Sequence, residues 1–219
     1  MIKTYFFFWM LVLYHGIAAQ VPVSQEPLHH NVFENAWVRV LDVRIQPGDT
    51  SQLHKHETPS VFIVLNPVKT GSQVIQEEQT STALREDSAI SFESFATTPR
   101  IHRVWNEDST EFHVMDIELL SKGQPAMRSP FANVPDCQLL IDAAPARVYK
   151  LNMEGGKSLQ LNNKRPLLIV GLTDNTGRVS VNNKSFSRKG DLIFVEPGKS
   201  IRFNNKSSHP YSFAVLEFK

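Results

Sequence analysis

Three of the histidines in this 219-residue chain stand in a pattern that could hold a metal ion. His54-Lys55-His56 places two imidazoles two residues apart. On a strand, alternate side chains share a face, so the two rings project together, roughly 7 Å apart along the chain. That spacing alone is weak. It gains weight from His102-Arg103-Val104-Trp105-Asn106, which can bring a third imidazole from another strand. Neutral imidazole nitrogens suit Fe, Zn, Cu and Ni, and three of them leave coordination positions open for water, O2 or substrate.

Other residues are candidates of lower rank. His113 heads a strand face with Met115, Ile117 and Leu119, and reads either as a hydrogen-bond partner or general base behind the ligands, or as a packed histidine. His29 and His30 are adjacent, so on a strand they face opposite ways. Either could approach a barrel mouth, although a solvated arm over residues 20–30 is the plainer expectation. Phe62, Phe92, Trp105 and Phe112 could wall a pocket or fill a core. Arg103 neighbours His102 and should point away from it.

The elements that must position these residues are strands. Trp37–Ile45 alternates, with Arg39, Leu41, Val43 and Ile45 on one face and Val38, Val40, Asp42 and Arg44 on the other. The second face should meet water at its charged end. Pro47-Gly48-Asp49 is a turn before the histidine strand, and Val61–Leu65 is a buried strand after it. Turn signals at Asn66-Pro67, Glu86-Asp87-Ser88 and Asn106–Thr110 separate further short strands up to Leu120. No stretch has helical periodicity, so the expected class is all-β, a barrel or sandwich.

Residues 121–146, with Pro125, Pro130, Pro135 and Pro145, read as a linker between an N-terminal domain over 20–120 and a C-terminal one over 147–219. The second domain repeats the plan of the first. Gly155–Leu161 lies against Gly48–Leu53, Pro166–Val170 against Pro59–Ile63, and Tyr211–Phe218 against Phe112–Leu119. In that alignment His54 falls on Asn162, His56 on Lys164 and His102 on Ile201, so the second domain should hold no metal.

Residues 1–19 read as an export signal: Lys3, an apolar run over Tyr5–Tyr14, then Gly16-Ile17-Ala18-Ala19, with cleavage after Ala19. The run is short for a spanning helix, so the mature chain is expected to be secreted or periplasmic, with no membrane partner. Cys137 is the single cysteine, which excludes an intramolecular disulfide. With 23 Lys and Arg against 22 Asp and Glu and no basic stripe, charge gives no support to nucleic-acid binding. Asn183-Lys184-Ser185 and Asn205-Lys206-Ser207 match the glycosylation pattern but read first as hairpin turns.

With these residues in view, the chain resembles the cupin superfamily, as two tandem barrels of the double-stranded β-helix or jelly-roll kind. Gly48, five residues, then His54-Lys55-His56 resembles the first cupin motif, and His102 with Asn106 the end of the second. The family's Glu would fall near Ser60 or Val61, where no carboxylate stands. Glu57, Glu93 and Glu118 have no spacing that puts them in its place. The resemblance implies a divalent metal on His54, His56 and His102, with Fe(II) foremost and Zn, Mn, Ni or Cu as alternatives. The missing carboxylate leaves that ion less neutralised and favours an anionic or chelating small-molecule substrate. It further implies an enzyme similar to the three-histidine dioxygenases, acting on a small oxygenated or aromatic compound. A non-catalytic sugar- or small-ligand-binding cupin and a metal-dependent isomerase or lyase stay open. A homodimer is compatible with the resemblance.

Overall fold

The computed structural model describes residues 20–75, 80–95, 97–124, 128–175 and 177–219; the expected signal segment lies outside them. The N-terminal half runs through β1 (Val21–Pro22), β2 (His29–Glu34), β3 (Val38–Ile45), β4 (His54–His56), β5 (Ser60–Asn66), β6 (Lys69–Val74), β7 (Ser81–Leu84), β8 (Ile90–Glu93), β9 (Arg100–Asn106) and β10 (Phe112–Leu119). The C-terminal half runs through β11 (Cys137–Asp142), β12 (Ala146–Met153), β13 (Ser158–Asn162), β14 (Leu167–Gly171), β15 (Val179–Val181), β16 (Lys184–Phe186), β17 (Leu192–Val195), β18 (Ser200–Asn205) and β19 (Tyr211–Phe218). No helix among the described residues is long and apolar enough to cross a membrane.

Each half is a pair of sheets. In the first, β1-β4-β9-β6-β7 faces β2-β3-β10-β5-β8; in the second, β13-β18-β15-β16 faces β11-β12-β19-β14-β17. The two halves meet through the β10 and β19 sheets. Val40, Ile63 and Ile117 from one pack with Val148, Leu168 and Leu216 from the other in a single buried cluster. This explains why β10 is buried at every position. One face looks into its own barrel and the other is covered by the second barrel. β3 behaves as its alternation requires: Leu41, Val43 and Ile45 join the barrel interior, Val38 and Val40 join the shared core, and Arg44 is exposed at the charged end.

The repeat is visible in detail. Asp49 donates to the Gln46 carbonyl across a turn with Gly48 at φ +80°, and Lys157 donates to Glu154 across one with Gly156 at φ +74°. A left-handed third residue is what such a turn demands, and glycine supplies it without strain. Asn106 Nδ2 donates to the Ile45 and Thr110 carbonyls, and Asn205 Nδ2 to those of Met153 and His209. Arg39 pairs with Glu118 as Arg147 pairs with Glu217.

Three local expectations change. Cys137–Asp142, inside the stretch read as linker, is a strand paired with β12. The arm of residues 20–30 is not simply solvated: β1 pairs with β4, β2 pairs with β3, and Glu26 and His29 are buried. The repeat alignment also slips by one residue at the histidine strand. His54 lies opposite His102 in the ladder, and the residue opposite Ile201 is Leu161, not Asn162. A one-residue slip exchanges the faces of a strand, and it places half-buried Leu161 against the second core rather than exposed Asn162.

Candidate metal centre

β4 and β9 are antiparallel neighbours, which sets His54 directly across from His102 and His56 across from Arg100. The side chains of His54, His56 and His102 all enter the first barrel, and one nitrogen from each lies within 4.8 Å of the others. Nε2 of His56 and Nε2 of His102 are 3.1 Å apart. His54 donates from Nδ1 to the Gln52 carbonyl at 2.8 Å. That bond fixes its tautomer and leaves the Nε2 lone pair for the cluster. The rings are stacked edge-on, with centroids between 4.6 and 5.0 Å.

Their surroundings keep these rings neutral. Burial, then His29 beside it, pushes His54 down to about 4. Burial, then His54, pushes His102 down to about 3. His56 is depressed as well, by burial first and by His102 and His54 after it. A neutral imidazole is the form that binds a metal.

The donor set fits a divalent transition metal, and one feature supports that fit directly. Nδ1 of His56 has no hydrogen-bond partner, and neither does either oxygen of Asp116, although the two side chains are buried and stand 3.5 Å apart. With Nε2 given to a metal, the His56 proton would reside on Nδ1 and point at that carboxylate. Ligand imidazoles ordinarily have such a partner. Burial first, and then Glu118, pushes the Asp116 carboxyl up to about 8. The position equivalent to Asp116 in the second barrel is Val215, packed in that barrel's hydrophobic core. Asp116 escaped the sequence reading, although an acid on the inward face of β10, between Val114 and Glu118, is a signal in itself.

Other candidates resolve plainly. His113 lies on the outer face of β10, in the cleft between the barrels, with Nε2 2.5 Å from Asp42 and 3.2 Å from Arg44. Its expected role behind the metal ligands is therefore corrected: the face it shares with Met115, Ile117 and Leu119 packs toward the second barrel. Phe62 and Phe112 line the histidine cavity, Phe92 packs on the inter-barrel core, and Trp105 donates to Glu107 outside. Arg103 points away and holds Gln73. Asn106 serves the turn after β9. Glu57 pairs with Lys55 at the surface, Glu118 is held by Arg39, and Glu93 lines the cavity. No carboxylate among the described residues joins the three nitrogens.

His29 and Glu26 complete the surroundings. The His29 ring stands 4.7 Å from that of His54 and lines the same cavity. Its Nδ1 meets Glu26, whose oxygens also accept the amides of Leu28 at 2.7 Å and Gln52 at 3.0 Å. Burial opposes the charge on Glu26, but these donors hold its carboxyl below the usual carboxylate range. The arm is thereby tied to the residue that orients His54.

No family model matches this sequence, and no curated protein matches it either. Solved structures do. AerE from Microcystis aeruginosa is similar over 89% of this chain and 98% of its own, with a TM-score of 0.59 at 12% identity. A cupin 2 conserved barrel domain protein from Leptotrichia buccalis is similar over 87% of this chain and 88% of its own, with a TM-score of 0.54 at 11% identity. Salicylate 1,2-dioxygenase from Pseudoaminobacter salicylatoxidans, solved with gentisate adducts, is similar over 87% of this chain and 70% of its own, with a TM-score of 0.59 at 10% identity. Identities this low carry fold and nothing finer. The sheet pairing, the repeated turns and these likenesses agree: the chain has the two-barrel cupin fold, with a three-histidine cluster in its first barrel.

Proposed function

We propose that this chain is an exported metal-dependent enzyme of the three-histidine oxygenase type, acting on a small oxygenated or aromatic compound. The observation that carries it is the convergence of three neutral imidazoles, His54 and His56 buried and His102 half-buried, inside a cavity. When bound, a divalent transition metal, Fe(II) foremost and Zn, Mn, Ni or Cu as alternatives, would supply Lewis acidity and, for a redox-active ion, O2 chemistry. The chain's own contribution is positional. Gln52 holds His54, Asp116 stands 3.5 Å from Nδ1 of His56, and Phe62, Val64, Val104 and Phe112 give the cavity apolar walls. The likeness to a dioxygenase whose name and title give salicylate and gentisate supports the reading at the level of fold. Export rests on the residue pattern of the first nineteen positions.

That no carboxylate among the described residues joins the three nitrogens favours a second reading, a cupin that binds a small ligand without turning it over. O2 consumption by Fe(II)-loaded protein over catechols, hydroxybenzoates, diketones, flavonols and thiols separates the two. The expected result is uptake with at least one compound, abolished in His102→Ala. Metal binding with no uptake on any of them contradicts an oxygenase. Turnover without O2 on the zinc form points instead to isomerase or lyase chemistry.

A further inference from the structure

The cavity that holds the three imidazoles also holds two guanidinium groups that metal binding does not use. Arg100 precedes His102 by two positions on β9, so its side chain leaves the strand on the same inward face. Arg85 enters from the segment after β7. Both line the cavity, and the positive charges of both oppose protonation of His102. Nε of Arg85 donates to Thr70 Oγ1 at 3.1 Å, and no carboxylate among the described residues pairs with it. Arg100 lies over the Phe95 ring, 5.2 Å from its centroid, and its one acidic partner among the described residues is Glu93, at 3.6 Å in a half-exposed pair. Among the described residues that long, solvated pair is the one acidic contact of the two arginines, and the other carboxyl lining the cavity, Asp116, is pushed up to about 8, chiefly by burial. A divalent ion on the histidines would add to the positive charge of the arginines.

Guanidinium groups match the planar, two-oxygen face of a carboxylate, and phosphate as well. Apolar walls from Phe62, Val64, Val104 and Phe112 favour a ligand with a hydrocarbon body over a bare oxyanion. The cavity volume is about 140 Å³, well under the roughly 300 Å³ at which ordinary ligand clefts begin. We propose that Arg85 and Arg100 form a carboxylate clamp, and that the cavity takes a small organic acid with its carboxylate between the guanidiniums and its remaining atoms toward the three histidines. This deepens the proposed function by naming its substrate class, and rests on it for what the clamp serves.

Calorimetric titration of metal-free and zinc-loaded protein with acetate, oxalate and benzoate, each beside its amide, and with inorganic phosphate, tests the clamp. At least one acid should bind tenfold or more tightly than its amide. Arg85→Gln and Arg100→Gln should each weaken that acid tenfold or more, while Arg85→Lys and Arg100→Lys, which keep the charge, should lose less. Arg103→Gln, on the outer face, should change it less than twofold, and zinc affinity should stay within threefold throughout. Acids and amides binding alike, no acid binding to either form, phosphate binding best of all, or an equal loss in Arg103→Gln would overturn the clamp. If the wild type discriminates acid from amide yet takes up no zinc, the metal reading falls and the clamp stands.

Discussion

A buried carboxyl group with no hydrogen-bond partner is costly unless something else in the protein needs it. Asp116 is such a group, and the buried outer nitrogen of His56 beside it is unmatched as well. If Asp116 serves the His56 proton, Asp116→Asn should lower zinc affinity about tenfold to a hundredfold, read by competition with a chromogenic chelator, while the metal-free protein melts no lower. Acid should act on the metal-free protein in a direction fixed by the same residues. His54, His56 and His102 all fall below their ordinary value of 6.5 when folded, so between about 4 and 6.5 the unfolded chain holds protons the folded one refuses. Asp116, raised when folded, works the opposite way over that range, but as one group against three. Stability should therefore fall as pH drops from about 6.5 towards 4, measured by urea denaturation at each pH, and replacing the three histidines with alanine should flatten the dependence. At this scale the ligands were legible because a two-residue spacing on a strand has one geometric meaning. Arg100 was equally legible by that rule, being two positions before His102. Arg85 was not, because it comes from a loop.

Among the elements, the N-terminal arm departs most from its expected role. Its residues are polar and proline-punctuated, which reads as solvated chain. Pairing of β1 with β4 nevertheless brings Glu26 in beside His29, where it accepts from that ring and from two backbone amides. Glu26→Ala strands those donors, of which the His29 ring is the buried one, and should cost about 1–3 kcal/mol, the range for one buried group left unsatisfied. Chemical denaturation reads that loss, and weaker zinc binding should accompany it because Gln52 also holds His54. A long-range partner for a polar arm cannot be inferred from local pattern, since nothing in residues 20–30 names the strand they join. The linker misled for a similar reason. Leu139 and Leu140 are exposed on an edge strand that carries little apolar alternation. The one-residue slip between barrels at β13 came from aligning loops, where glycines match without fixing register.

In the whole molecule, the two barrels differ in what fills them. The second is packed with Phe186, Phe203, Tyr211 and Phe213, while the first gives part of its interior to histidines, Asp116 and a cavity. The hydrophobic cost of that space is offset where the barrels meet, because the shared cluster draws on both. Unfolding should then be one cooperative transition, and Leu216→Ala in the shared cluster should cost about 2–5 kcal/mol and lower the melting of both halves together. Two separated calorimetric transitions would contradict that coupling. The double-barrel plan was readable from the internal repeat; the interface between barrels was not, because a strand buried on both faces has the same composition whichever neighbour covers it. The most direct test of the account is a metal titration of the purified protein, with Co(II) followed by its visible spectrum and zinc by elemental analysis, beside His102→Ala. The account predicts one equivalent bound with a spectrum of nitrogen ligation, and its loss in the variant. Uptake of no ion, or an ion held equally well without His102, would contradict it.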